Sequence, residues 1–187
     1  MFGAPGAGKG THGRALGAIP GFFHCACGDV FRSLRPETAL GKVFLEYSSR
    51  GQLVPDEPTV ELWRQAIDSS TQVGRFHPAA DTLVLDGIPR NVAQAKMLND
   101  TLDVVCVFYL TSKNPENLVC RIQRRALKEN RLDDANLDVI RQRLKTYEKE
   151  TKPVLIFYGK KLVRRINTDG PPVNIFSDIL KRVVKLK

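Results

Sequence analysis

Between Gly3 and Thr11 the chain reads Gly-Ala-Pro-Gly-Ala-Gly-Lys-Gly-Thr, a glycine-rich loop that carries one lysine and one hydroxyl residue. Glycine lacks the Cβ that would keep backbone N–H groups from turning inward, so Gly6, Ala7, Gly8, Lys9, Gly10 and Thr11 can cradle an anion. Lys9 would neutralise bridging phosphates and Thr11 would offer its hydroxyl to Mg²⁺. A helix over 11–16 would aim its positive N-terminal end at the same charge. The pattern departs from the usual phosphate-binding loop in one place, because Gly10 stands where Ser or Thr normally follows the lysine directly. A flexible linker is the bland alternative, but linkers are serine-rich and have no use for an embedded Pro-Gly-Ala-Gly-Lys.

Further along, residues 82–86 read Thr-Leu-Val-Leu-Asp, a strand that ends on the carboxylate of Asp86 and runs into Gly87-Ile88-Pro89-Arg90. Beside a phosphate loop, Asp86 would hold Mg²⁺ through water; its plain alternative is a turn cap. Arg121 and Arg125 fall four apart on one face of a helix that starts near Pro115, and Arg131 lies in the polar stretch beyond. Arginines therefore outnumber acid/base candidates at the marked positions, and His12, His24 and His77 occupy none that asks for a proton carrier. The four cysteines include one close pair, Cys25-Ala26-Cys27, which is neither a metal hook nor a redox pair, so reduced, buried thiols and no zinc are expected.

These groups need a frame. At 187 residues and 42% hydrophobic content the chain can bury one sizeable core, so a single domain over 1–187 is expected. No stretch approaches the ~20 apolar residues of a membrane span and no signal peptide is evident, which suggests a cytoplasmic protein without a membrane partner. Apolar runs at 22–25, 82–86, 104–110 and 162–167 read as strands. Helical stretches are expected at 40–49, 57–69, 115 onward, 136–147 and 173–184, with a turn near 153–158 and Asp29 capping a helix from about Val30. Trp63 falls on a core face. This alternation predicts an α/β fold, a parallel sheet flanked by helices. The net charge of +9 fits either a nucleic-acid face or arginines gathered in a polyphosphate cleft. No aromatic platform is interleaved with the basic residues, so nucleic acid is not the expected partner.

Taken in order, Gly3 to Thr11, Gly28-Asp29 with Arg32, Gly51-Gln52-Leu53-Val54-Pro55-Asp56, Asp86-Gly87-Ile88-Pro89-Arg90 and Arg131-Leu132-Asp133-Asp134 resemble the motifs of nucleoside monophosphate kinases. The resemblance is to the adenylate kinase family in its short-lid form and spans essentially the whole chain. It implies a P-loop NTPase fold with a helical NMP-binding insertion at about 27–57 and a short lid at about 126–136. It also implies reversible Mg²⁺-dependent transfer, ATP + AMP giving two ADP, by a monomer whose partners are small nucleotides. Carried over, Gly6 to Thr11 with Arg121 and Arg125 would hold ATP, Arg121 lying against the donor base. Lys9, Arg90, Arg125, Arg131 and Arg143 would surround the moving phosphoryl group. Cys27, Arg32, Gln52, Leu53, Val54, Gly87, Arg90, Gln94, Arg131 and Arg143 would receive AMP. Arg32 and Arg90 would clamp its phosphate, since a guanidinium fork matches phosphate oxygens, and the Gln94 amide would read the adenine edge. Thr11 and Asp86 would serve Mg²⁺, and Asp133 and Asp134 would pair with arginines of the lid.

Three departures accompany the resemblance. Cys27 replaces a small hydroxyl residue, Ile88 replaces an aromatic, and an extra residue between Asp134 and Arg143 loosens the placement of Arg143. More seriously, only Met1 and Phe2 precede the loop where a central strand is expected. The first β-strand is therefore expected to be missing, with two neighbouring strands left on facing free edges and folding or nucleotide binding weakened. A UMP/CMP kinase, and a catalytically impaired nucleotide-binding protein, stand as the alternative functions.

Overall fold

The computed structural model describes residues 1–129, 134 and 136–186. Where a central strand is expected ahead of the glycine-rich loop, β1 is only the two residues Phe2–Gly3. After the loop come α1 (Lys9–Gly17), β2 (Phe22–Ala26), α2 (Cys27–Arg32), α3 (Ala39–Ser49), α4 (Asp56–Gln72) and β3 (Thr82–Asp86). Then follow α5 (Val92–Leu98), β4 (Val107–Thr111), α6 (Pro115–Glu129), α7 (Leu137–Thr146), a π-helical turn at Tyr147–Thr151, α8 (Val154–Leu162), β5 (Val163–Asn167) and α9 (Pro172–Val183). The fold is the expected α/β arrangement of parallel strands flanked by helices.

All laddered strand pairs among the described residues are parallel, and they form two sheets, β1-β4-β5 and β2-β3. Phe2 lies opposite Tyr109 and Gly3 opposite Leu110. On its other side the Met1 nitrogen donates to Leu85 O at 2.7 Å, a single bond reaching toward β3. Gly3 has φ +148°, and a Cβ there would stand 2.5 Å from Leu110 O, so the loop can leave the strand at this angle only with glycine.

Three apolar clusters support these sheets. Cys25, Cys27, Phe31, Val60, Leu62, Trp63, Ile88 and Leu98 pack under β2-β3, and the expected core position of Trp63 is what the fold uses. Phe108, Leu110, Leu118, Ile166, Ile175 and Ile179 form the second cluster between β4-β5 and helices α6 and α9. Phe2, Ala95, Val107 and Val154 form the third.

Several sequence expectations need correction. Asp29 lies within the first turn of α2, whose N-cap is Ala26. Strand β4 begins at Val107 instead of residue 104, because its partner β5 begins opposite that residue. The stretch at 153–158 is part of helix α8, with a break at Gly159 (φ 73°), instead of a turn. Helix α5 was not expected at all. Residues 126–129 of the expected lid continue α6, while 130–133 and 135 lie outside the described residues. Of the four cysteines, Cys25 and Cys27 are buried and Cys120 is exposed. No described helix is long and apolar enough to cross a membrane.

Candidate active site

Helix α1 begins where the glycine-rich loop ends. Its N-cap, Gly8, is left-handed (φ 95°) and supplies no side-chain cap. The first-turn N–H groups have no intrahelical acceptor by construction of a helix, so they are left to face an anion. Gly6 makes the close approach that closes the loop: its φ is +80°, and a Cβ would lie 2.6 Å from Leu118 O on α6. Lys9 turns back into this nest, donating from Nζ to Gly3 O at 2.8 Å and Ala4 O at 3.1 Å.

Burial lowers the Lys9 ammonium to a pKa of about 8. Asp86 opposes that shift, and the cations Arg90, Arg125 and Arg143 add to it. A lysine held among three arginines is a site of concentrated positive potential, which a bound polyphosphate would relieve.

Loop and lysine open into a cavity of about 700 Å³. Every sequence-derived site residue among the described ones lines it, from Gly6 to Thr11 through Cys27, Arg32, Gln52 to Val54, Asp86, Gly87, Arg90 and Gln94 to Arg121, Arg125 and Arg143. Arg131 and Asp133 lie outside the described residues. The sequence reading missed Arg14, Arg124 and Lys128, which also line the cavity. The last two were within reach, because they follow Arg121 by three and seven residues and so share its helix face.

Two arginines are held by one carboxylate. Asp134 is fully buried (0% exposed) and accepts from Arg125 Nε at 2.8 Å and Nη2 at 2.6 Å on one oxygen, and from Arg143 Nη1 on the other. Asp134 is expected to pair with arginines of the lid; the two it holds lie outside 126–136, Arg125 on α6 and Arg143 on α7. Arg121 is fixed differently, donating from Nη2 to Thr168 O at 2.8 Å. His12, buried on α1, stacks on Phe176 at 6.3 Å between ring centroids. Burial first, and Arg121 second, lower its pKa, which favours the neutral ring.

Arg90, which also lines the cavity, bends over its own turn, Nε donating to Gly87 O at 3.0 Å, where Gly87 takes φ +79°. Arg32 pairs with Asp29 at 2.8 Å. Cys27 is buried beside both arginines, and burial raises its thiol to about 11 despite them, so it faces the cavity as an uncharged S–H. Gln94 is 1% exposed and lines the same cavity.

For a magnesium ion the residues present fit in part. Asp86 is 9% exposed, and no protein donor among the described residues hydrogen-bonds its carboxylate, as suits a group that faces bound water. The residue that faces it from α1 is Gly10, where a Cβ would lie 3.4 Å from Asp86 Oδ2. Thr11, one helical step further on, is exposed and lines the same cavity.

Comparison with known proteins adds to this geometry. The family model described as adenylate kinase matches residues 1–163. Adenylate kinase isoenzyme 1 of Bos taurus is 32% identical over 189 residues, covering all of this chain and 94% of that protein. The human isoenzyme 1 matches with the same identity and coverage. Adenylate kinase of Parabacteroides distasonis is 37% identical over 195 residues, covering all of this chain and 97% of the relative.

Proposed function

The chain belongs to the adenylate kinase family, the ATP:AMP phosphotransferases, and from that premise we propose that it moves the terminal phosphoryl group of Mg²⁺-bound ATP to AMP, reversibly, giving two ADP. The observation that carries this reading is the gathering of Lys9, Arg90, Arg125 and Arg143 around one cavity that begins at a nest of loop N–H groups. Phosphoryl transfer asks for little covalent help. It asks that donor and acceptor be aligned and that positive charge be spread around the group in flight.

In this reading the loop from Gly6 to Thr11 and Lys9 hold the donor phosphates, and Arg121, fixed by the Thr168 carbonyl, lies against the donor base. Arg32 and Arg90 hold the acceptor phosphate, with Cys27, Gln52, Leu53, Val54 and Gly87 around the nucleoside and Gln94 at its base edge. Arg125 and Arg143, kept in place by Asp134, would flank the line between the two phosphates, and the resemblance assigns Arg131 to the same phosphoryl group. An oxygen of the acceptor phosphate attacks the terminal phosphorus as the bond to the bridging oxygen breaks, and no side chain has to carry a proton. Asp86 would hold water on Mg²⁺, with Thr11 as a further oxygen at the loop. The ion, when bound, offsets charge on the terminal phosphates. The segments at about 27–57 and 126–136 would be the acceptor-binding insertion and the short lid of one domain.

The test is ADP formation from ATP with AMP, UMP or CMP as acceptor, with and without Mg²⁺. AMP should be used best. Lys9→Met should lower kcat by about a hundredfold or more, as loss of a charge made for the transition state does. Faster turnover of UMP would shift the reading to a pyrimidine monophosphate kinase, and unchanged activity in Lys9→Met would end it.

A further inference from the structure

The Gln94 amide is held at both ends. Its Oε1 accepts from the Arg90 backbone N–H at 2.7 Å, and its Nε2 donates to Asp56 Oδ1 at 2.8 Å. The same Asp56 oxygen accepts from Asn91 Nδ2 at 2.8 Å, while Asn91 Oδ1 caps α5 by accepting from Gln94 N at 2.8 Å. Asp56 itself does not line the main cavity. It sits behind Gln94, at the first residue of α4, on a neighbouring hollow of about 430 Å³.

This arrangement allows only one orientation of the amide. A carboxylate accepts and cannot donate, and a backbone N–H donates and cannot accept. Turning the Gln94 amide over would set its oxygen against the Asp56 carboxylate and its NH₂ against the Arg90 N–H, two repulsive contacts around an amide that is itself almost wholly buried.

A side-chain amide offers two acceptor lone pairs and two N–H donors. With one of each engaged, one lone pair on Oε1 and one N–H on Nε2 remain for a ligand. That pair complements an edge presenting an exocyclic N–H beside a ring-nitrogen acceptor, as adenine and cytosine do. It opposes an edge presenting a carbonyl beside a ring N–H, as hypoxanthine, guanine and uracil do.

We infer that Asp56 is a specificity-determining positioning residue, which fixes the Gln94 amide so that the acceptor site takes nucleoside monophosphates whose base presents an exocyclic amino group beside an unprotonated ring nitrogen and rejects those that present a carbonyl beside a ring N–H. The inference rests on the proposed role of Gln94 at the acceptor base, and it adds the group that decides which way that amide faces.

The matched acceptor pairs are AMP against IMP and CMP against UMP, since each pair differs chiefly by amino for oxo at one edge. With saturating Mg²⁺-ATP, kcat/KM is measured for all four on the unaltered chain, on Asp56→Asn and on Gln94→Leu, beside monophosphate binding by titration and thermal melting. The unaltered chain should prefer AMP to IMP and CMP to UMP. In Asp56→Asn, whose amide can turn and present a donor, both ratios should narrow by about tenfold. The change should lie mainly in KM and Kd, with the melting temperature little moved. Gln94→Leu should narrow them too. If Gln94→Leu narrows the ratios and Asp56→Asn does not, the inference about Asp56 fails while the role of Gln94 stands. If neither variant narrows them, the reading of Gln94 fails and the inference falls with it. If Asp56→Asn slows all four acceptors equally and lowers the melting temperature, Asp56 is only structural and the inference is overturned.

Discussion

Lys9 is the residue at which structure and chemistry are most tightly linked, because the burial that makes it useful also makes it easier to deprotonate. Its ordinary pKa of 10.5 falls to about 8 in the folded protein. Between those values the unfolded chain binds the proton and the folded chain does not. This group therefore makes the nucleotide-free protein more stable as pH rises from about 8 toward 10.5, and withholds that contribution below 8. A bound polyphosphate reverses the balance, since negative charge beside Nζ favours the ammonium form. Nucleotide binding should accordingly take up a proton near pH 9 and almost none from this group near pH 7. Calorimetry of ATP binding in two buffers of different ionisation enthalpy measures the uptake, and Lys9→Met should abolish it. Equal heats in both buffers at pH 9 would show that Lys9 is not the depressed group described here.

Among the elements, α1 shows how closely the phosphate loop is tied to the sheet behind it. Gly13 and Gly17 lie one helical turn apart on the face that meets β2. A Cβ on Gly17 would stand 2.4 Å from His24 Cβ and 2.8 Å from its backbone nitrogen, and one on Gly13 would meet the far end of the His24 ring at 2.5 Å. Alanine would raise the helix propensity of either position by about 1 kcal/mol. Gly17→Ala must nevertheless push against strand backbone, and overpacking of that kind costs about 1–3 kcal/mol. The expected result is a net loss of stability for Gly17→Ala and a smaller loss for Gly13→Ala, whose obstacle is a side chain that can turn. Urea denaturation of the two variants orders them; a stabilised Gly17→Ala would mean that α1 rides further from β2 than described. Elements of this kind were readable in the sequence where chemistry and apolar runs coincide. The loop, the strand Thr82–Asp86 and the arginines of α6 stand out because neighbouring residues state their purpose. Helix α5 did not, because seven residues after a proline carry too little apolar period to be noticed. Helix α8 was taken for a turn because Pro153 precedes it and Gly159 interrupts it. The Asp56–Gln94 contact joins residues 38 apart, and no local pattern announces it.

For the whole molecule, the division into two sheets decides how the halves communicate. The cluster under β2-β3 draws on α2 and α4, and the cluster under β4-β5 draws on α6 and α9, with no buried residue in common. Helix α5 spans the divide, giving Leu98 to the first cluster and Ala95 to the third, in which Phe2 and Val107 of the larger sheet sit. A two-stranded sheet is marginal without its covering helices, whereas β4 is paired on both sides. The smaller half should therefore open at a lower free energy than the larger. Nucleotides would link them, because Arg32 and Arg90, from α2 and the turn after β3, and Arg125 and Arg143, from α6 and α7, line the same cavity, and bound phosphates would engage both sets. Amide hydrogen exchange should thus show Leu83 to Leu85 opening more readily than Phe108 to Leu110 in the nucleotide-free protein. Ligand at a hundredfold over its Kd adds about 2.7 kcal/mol to the states that bind it. Saturating ATP with a non-reacting AMP analogue should therefore slow the β3 amides most and narrow the gap between the two groups. Matching exchange in both sheets before nucleotide is added would mean that α5, with α1, which packs on β2 and stacks His12 on Phe176 of α9, already holds the halves together as one unit.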